Sequence, residues 1–235
     1  MKSIKVFLAL FSIIVTGVFL YCTERLTIGF IGLAFLCYII GSFIHLLAHE
    51  CGHLLGGLIS GYGLLCFQIG PLYIISDNKK ASVKIKRSIS GQCVMIPKKS
   101  DSLKYMAYNL GGVTANIVII ILSSGLLIFH SFGALLLFIE ILLVGLKKIL
   151  INIIPCNNNS GPNDGYIVKL LKKDTAIQKD YVIYLRLYRE LFLKKEINPH
   201  DYIYERETAK NIDELLYYNE IQDILSSINI DKNEN

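Results

Sequence analysis

The residues best suited to chemistry form the pattern His-Glu-x-x-His, at His49, Glu50 and His53. On a helix, positions i and i+4 share one face, so both imidazoles can bind a single metal ion. Zinc binds neutral imidazole nitrogen well, and two histidines leave room for a third protein ligand and a water molecule. Glu50 is then placed to take a proton from that water. The pattern therefore predicts one zinc ion, with Glu50 as the general base.

The chain in front of this motif is apolar. Between residues 28 and 47 the only acidic or basic side chain is His45, which lies one turn before His49. Ionisable side chains at membrane depth are costly and usually mark function. This argues against the simpler alternative, a polar stripe on a helix. For His45 two interpretations stay open: a group that supports the site or contacts its water, and an ordinary packed histidine.

Composition indicates a membrane protein. Of the 235 residues, 53% are hydrophobic, and the mean hydropathy is +0.48, which is high for a soluble domain. Four apolar stretches are long enough to cross a bilayer. We therefore expect a mainly α, polytopic membrane protein with about four transmembrane helices, at residues 6–21, 26–60, 106–130 and 132–154. The last stretch contains Glu140, which is either buried against a partner or facing a hydrated cavity.

The segment after the metal motif changes its periodicity. Four short runs alternate with turn sequences, which predicts a small antiparallel β-sheet directly after the metal-binding helix, within residues 64–97. Beyond Gly165 the chain is mostly polar, with two apolar stripes at roughly helical spacing on either side of Asn198-Pro199. These stripes predict a C-terminal helical hairpin. We expect two parts, a transmembrane core over residues 1–172 and a cytoplasmic helical tail over residues 173–235.

The distribution of charge predicts the topology. The formal net charge is +5, and many of the lysines lie within residues 79–104, in and after the predicted sheet. Loops rich in lysine and arginine stay in the cytoplasm, and four spans then place both termini there too. Because the basic residues fit this topology, we expect the lipid bilayer of the cell membrane as the surroundings and no nucleic-acid partner.

A zinc ion bound by two histidines needs a third protein ligand. The candidate is Asp164, in an irregular segment with prolines and glycines at the end of the fourth predicted span. Irregular backbone near membrane depth is tolerated where protein or a water-filled cavity surrounds it, as around an active site. The alternative is that Asp164 caps a helix that starts at Gly165. The sequence leaves both roles open.

Taken together, these motifs resemble the site-2 protease family of intramembrane zinc metalloproteases, in a small bacterial form. The resemblance covers roughly residues 30–171. Its motifs are His49-Glu50-x-x-His53 in one span, Asn152-x-x-Pro155 leading to Asp164-Gly165 in a later one, and Gly111-Gly112 with Asn116 between them. In this chain Gly111-Gly112 stands without the proline that the family commonly has there.

The resemblance implies an endopeptidase that cleaves a membrane-anchored substrate within or near its transmembrane segment. It makes Asp164 the third zinc ligand. It also suggests that Asn116 hydrogen-bonds the substrate backbone or the oxyanion, with a helix contact as the alternative role. The implied substrates are a membrane-tethered regulator such as an anti-sigma factor, a remnant signal peptide, or a peptide precursor.

Two other functions are compatible with the same fold. One is a non-catalytic membrane accessory or immunity protein, and the other is a metal-ion transporter. The presence of Glu50 argues against the first, because a purely structural zinc site has no use for a base. A transporter would need several polar positions along one path, and the apolar spans offer only His45 and Glu140.

Overall fold

The computed structural model describes residues 2–77, 80–85, 87, 88, 90–98, 104–158, 161–195, 197–204, 206 and 212–233. Its α-helices are α1 (Lys2–Cys22), α2 (Ile28–Ile59), α3 (Tyr105–Ser123), α4 (Phe132–Ile153), α5 (Asp164–Leu171), α6 (Thr175–Phe192) and α7 (Leu216–Asn233). Its strands are β1 (Tyr62–Ile69), β2 (Leu72–Asp77), β3 (Lys80–Ile85), β4 (Gly91–Pro97), β5 (Asn157–Asn158) and β6 (Gly161–Pro162). Part of the basic segment, including Lys79, Lys86 and Lys99, lies outside the described residues.

Three helical segments are long and apolar enough to cross a membrane. They are Ser3–Cys22, Ile28–Ile59 and Tyr105–Phe129, the last being α3 and the 3-10 helix that continues it. Large apolar side chains on these segments face outward, for example Phe35, which is 65% exposed. Such a surface is normal against lipid and unfavourable against water. The expected mainly helical fold is thus confirmed, with three helical segments that could span a membrane.

The fourth predicted span forms α4, a helix of 22 residues, but it is not among those three segments. It packs against α1, α2 and α3, and it carries Glu140, Lys147 and Lys148. Glu140 is 3% exposed and accepts a hydrogen bond of 2.6 Å from Thr16 Oγ1 of α1. The helix itself is therefore as predicted, and it differs from the three apolar segments in its three charged side chains.

Glycines allow α2 and α3 to approach closely. A Cβ atom on Gly52 would overlap the carbonyl oxygen of Gly111, and one on Gly56 would overlap the carbonyl oxygen of Ala107. Small residues four apart on one helix commonly form such an interface between apolar helices. This packing fixes the motif-bearing half of α2 against the first half of α3.

The predicted sheet is present, and its first strand starts at Tyr62, two residues before the predicted insertion. Four antiparallel strands lie in the order β3-β2-β1-β4, so β4 pairs with β1 and forms one end of the sheet. β4 also packs against α2. The Tyr108 hydroxyl of α3 donates a hydrogen bond of 2.8 Å to the Cys93 carbonyl and so ties β4 to the helices.

The C-terminal helices α6 and α7 pack on each other, as the apolar stripes predict, and they also pack on the rest of the chain. A hydrophobic cluster joins the sheet, α5, α6 and α7, and its buried members are Leu65, Ile96, Leu170, Leu171, Ile177, Tyr181, Leu185 and Tyr217. The 173–235 segment therefore shares a core with the sheet and with the helix that starts at Asp164.

Candidate metal centre

Three side chains from two distant parts of the chain meet at one point, where His49 and His53 are buried and Asp164 is half-buried. Nε2 of His49 lies 3.4 Å from Oδ2 of Asp164, and Nε2 of His53 lies 3.5 Å from the same oxygen. The two Nε2 atoms are 3.1 Å apart. His49 and His53 are 8% and 7% exposed. Among the described residues this is the group of histidine, cysteine and carboxylate side chains whose ligand atoms could hold a metal ion.

The spacing of these atoms fits a tetrahedral metal ion. Ligands bonded to zinc at about 2.0–2.1 Å in tetrahedral geometry lie roughly 3.3 Å from each other. The three observed separations, from 3.1 to 3.5 Å, bracket that value. Oδ2 of Asp164 is buried and has no hydrogen-bond partner among the described residues. A buried carboxylate oxygen without a donor is unfavourable unless a cation completes it.

A backbone carbonyl orients His53. Nδ1 of His53 lies 2.8 Å from the carbonyl oxygen of Tyr108. Because a carbonyl only accepts, Nδ1 of His53 carries the proton and donates it. Its Nε2 then presents a lone pair toward Asp164, which is the state that a metal ligand requires.

A short loop with many hydrogen bonds positions Asp164 as the first residue of α5. Asn163, and not Asp164, caps this helix, because its side-chain oxygen accepts from the backbone N–H of Tyr166 at 3.0 Å. The Asn163 side-chain nitrogen also donates to the carbonyl oxygens of Ile151 and Ile154, at 2.6 and 2.7 Å. The capping role considered for Asp164 is therefore wrong, and its carboxylate is left for the site.

The Asp164 carboxyl has a lowered pKa. Burial acts to raise the pKa of its carboxyl, but the adjacent His49 and His53 more than offset this and lower the pKa to about 2. An anionic oxygen between two imidazoles is the charge distribution that favours a divalent cation.

Glu50 lies beside the three ligand residues without belonging to them. It is 6% exposed, and it interacts electrostatically with His49, His53 and Asp164. A Cβ on Gly91, the first residue of β4, would lie 2.5 Å from its Oε1 atom. The absence of a side chain at position 91 therefore provides the space for the Glu50 carboxylate between α2 and the end strand of the sheet.

Two further polar residues near the site are Asn116 and His45. Oδ1 of Asn116 lies 3.0 Å from Nδ1 of His45, and its Nδ2 lies 3.2 Å from Nδ1 of His49. His45 also contacts the Ile141 carbonyl oxygen through Nε2, at 2.9 Å. Both side chains are completely buried. The structure thus brings Asn116 to the back of a ligand histidine, while the oxyanion role stays a prediction.

Sequence reasoning missed two contributors. Tyr108 acts through its backbone carbonyl, and every residue has one, so the residue type does not reveal this role. Gly112 provides the space for both imidazoles, since a Cβ there would lie 2.6 Å from Nε2 of His53 and from Nδ1 of His49. The adjacent glycines of α3 were a usable signal for close approach, but not for what approaches.

Comparisons with models of known protein families, with curated proteins and with solved structures gave no significant match to this chain. The resemblance to intramembrane metalloproteases therefore rests on the residues named above.

Proposed function

We propose that this protein is a metal-dependent endopeptidase of the membrane, which hydrolyses a peptide bond in or near the transmembrane segment of a membrane-anchored substrate. One observation carries the proposal: His49, His53 and Asp164 converge at metal-ligand spacing, with the carboxylate of Glu50 beside them, among helices apolar enough to span a bilayer. The fit to tetrahedral spacing and the nitrogen-rich ligands favour zinc; manganese or iron would use similar residues.

The residues of the site have different roles in the proposed peptide hydrolysis. Bound to His49, His53 and Asp164, a zinc-like ion would supply an acidified water and polarise the scissile carbonyl. Glu50 accepts the proton of the attacking water and passes it to the leaving amine nitrogen. Burial of the site keeps bulk water away from Glu50 and the metal ion, which strengthens their electrostatic interactions with the reacting groups.

The position of β4 supports a route for the substrate. A transmembrane helix bonds its own carbonyl groups, so it must unwind before one of them can be attacked. Extended segments are commonly bound by pairing with the end strand of a sheet. β4 is such a strand, and its first residue, Gly91, lies against Glu50. An unwound segment paired with β4 would pass next to the general base.

We further propose that α4 is the fourth span and that both termini are cytoplasmic, in a multi-pass protein of the bacterial cell membrane. The burial of α4 against the three apolar helices supports this, because Glu140 is satisfied by Thr16 and needs no water. The basic segment of the sheet then lies on the cytoplasmic side.

Glu50→Gln tests the proposed reaction. The protein is reconstituted in liposomes with zinc and a panel of tagged single-span peptides that contain glycine or proline at mid-span. We expect Glu50→Gln to lower the cleavage rate by about 10²–10⁴-fold, the usual contribution of a positioned general base. Zinc content should stay at one ion per chain, since Glu50 is not a ligand. Glu140→Gln is the matched control, because it neutralises a buried carboxylate outside the site.

The same experiment separates the alternatives. Undiminished cleavage by Glu50→Gln would remove Glu50 from the mechanism. A wild-type protein that binds zinc and cleaves no member of the panel would favour a non-catalytic accessory protein.

A further inference from the structure

A chain of buried polar groups connects α4 to the metal ligand His49. It runs from the carbonyl oxygen of Ile141 through His45 and Asn116 to Nδ1 of His49. We propose that Asn116, oriented by His45, is a positioning residue that fixes His49 with its proton on Nδ1 and its Nε2 lone pair facing the metal. This rests on the metal site of the proposed function, but not on the peptidase reaction.

The carbonyl oxygen of Ile141 determines which nitrogen of His45 carries the proton. A carbonyl oxygen only accepts, so His45 donates to Ile141 from Nε2, across 2.9 Å. His45 is completely buried, and no carboxylate of the described residues bonds to it. A doubly protonated imidazole there would be an uncompensated buried charge, which is strongly unfavourable. His45 is therefore neutral, and its Nδ1 carries a lone pair that needs a donor.

The side-chain amide of Asn116 supplies that donor. A half-turn about the last bond exchanges its oxygen and nitrogen with almost no change of shape, so the partners decide the orientation. Only the NH2 group can donate to the lone pair of His45. The structure places the oxygen toward His45 and the NH2 group toward His49. The half-turn that brings the NH2 group to His45 turns the oxygen toward Nδ1 of His49, where it accepts the proton. In the opposite orientation the NH2 group donates to His49, and His49 must then hold its proton on Nε2, where the metal should bind.

Both ligand histidines thus reach the same state by different means. The Tyr108 carbonyl holds the proton of His53 on Nδ1 directly, and Asn116 does so for His49. A supporting acceptor on the far nitrogen is the usual partner of a metal-binding histidine. A side-chain amide, unlike a backbone carbonyl, can turn over. The Asn116 amide therefore needs the contact with His45 to fix which of its two ends faces His49.

The packing around His45 agrees with a fixed role. A Cβ on Gly145 would lie 2.6 Å from Cε1 of the His45 ring, so the ring occupies space that α4 provides only by having glycine there. Asn116 is also completely buried, with each end of its amide against a histidine. An oxyanion would have to displace one of these contacts.

Zinc affinity, measured by competition with a chelator on the full chain in detergent, tests the proposal without any peptidase assay. We expect Asn116→Leu to weaken zinc binding by about 10–100-fold, the usual effect of losing a supporting partner of a metal ligand. Asn109→Leu is the matched control, because Asn109 is also a buried amide of α3 but bonds the Tyr105 carbonyl of its own helix. Zinc affinity should be unchanged there.

A double substitution distinguishes the proposed orienting of the Asn116 amide by His45 from a role of His45 in packing alone. A carboxylate at position 116 can only accept, so it would fix the His49 proton on Nδ1 without help from His45. We therefore expect His45→Phe to weaken zinc binding in the wild-type background and to have a much smaller effect in the Asn116→Asp background. A loss of equal size in both backgrounds would overturn the role of His45 as the residue that orients the amide.

The proton itself can be observed. The chain has five histidines, so nitrogen-15 NMR of histidine-labelled, zinc-free protein can assign each ring nitrogen as protonated or not. We expect Nδ1 of His49 to be protonated in the wild type and in Asn116→Asp. A folded wild-type protein with the His49 proton on Nε2, or an Asn116→Leu variant that binds zinc with undiminished affinity, would overturn the proposal.

Discussion

A methyl group on Gly112 would lie 2.6 Å from Nε2 of His53, and equally close to Nδ1 of His49. Gly112 stands on α3, and the histidines stand on α2, so the missing side chain of one helix defines the space for the imidazoles of the other. Gly52 and Gly111, which directly precede His53 and Gly112 in the chain, approach each other closely and hold the two helices at that separation.

Gly112→Ala should therefore reduce metal binding although it replaces no ligand residue. The added methyl group pushes against both imidazoles, because moving the helices apart to accommodate it would break the close packing of the glycine interface. We expect zinc affinity to fall by at least about 10-fold, comparable with the loss of a supporting partner. Gly125→Ala is the control, since nothing lies within 4 Å of a Cβ there. Wild-type affinity in Gly112→Ala would show that the rings have another position from which to bind.

The sequence predicted the two histidines of the candidate metal site, and Glu50 beside them, because their signal is local. His49, Glu50 and His53 form one motif on one helix, and apolar length alone identifies its host. The strands of the sheet, β4 included, were predicted with similar success from turn chemistry. The pairing of β4 with β1, which brings β4 next to α2, was not predicted. That pairing depends on contacts between segments about 30 residues apart, and a local pattern carries no information on them.

Asp164 marks the limit of what the sequence could decide. Its role as a ligand and its role as a helix cap are equally compatible with the residues around it. The structure separates them because Asn163 takes the cap, and that depends on the exact backbone of the loop. The relay through Asn116 was equally hidden, since His45 and Asn116 lie on different helices and each was assigned a role alone.

Asp164→Ala should remove one of three ligands, and we expect zinc affinity to fall by more than the roughly 100-fold upper limit for supporting residues. Asp174→Asn is a suitable control, because Asp174 is an exposed carboxylate that caps α6, and asparagine caps equally well. The measurement is chelator competition on the folded protein. One zinc ion bound at wild-type affinity in Asp164→Ala would remove Asp164 from the site.

Asn163→Ala should lower zinc affinity by a different route. Its side chain makes four hydrogen bonds that hold the loop, two as acceptor from the N–H groups of Cys156 and Tyr166 and two as donor to the carbonyls of Ile151 and Ile154. Without them the start of α5 is no longer fixed, so the Asp164 carboxylate is presented in many positions. Loss of the helix cap alone costs about 1 kcal/mol.

Asn163→Asp provides the comparison for this variant. It keeps the cap and loses only the two donors, and we expect a zinc affinity between those of the wild type and Asn163→Ala. Equal affinities in all three proteins would mean that packing of α5, and not the loop, positions Asp164.

The hydrophobic cluster under α5 should connect the C-terminal helices to the metal site. Ile177 of α6 belongs to the cluster that includes Leu170 and Leu171 of α5, whereas Ile221 of α7 belongs to a second cluster without any residue of α5. Both isoleucines are almost completely buried. Ile177→Ala and Ile221→Ala should each lower the free energy of unfolding by about 2–5 kcal/mol, because each leaves a similar cavity.

Their effects on the metal site should differ. Ile177→Ala loosens the support of the helix that begins at Asp164, so we expect it to weaken zinc binding, while Ile221→Ala leaves that helix supported and zinc affinity unchanged. Thermal unfolding of the zinc-free proteins measures the first quantity, and chelator competition measures the second. If both variants bind zinc like the wild type although both are destabilised, the tail contributes to stability alone, and Asp164 is positioned entirely by its loop.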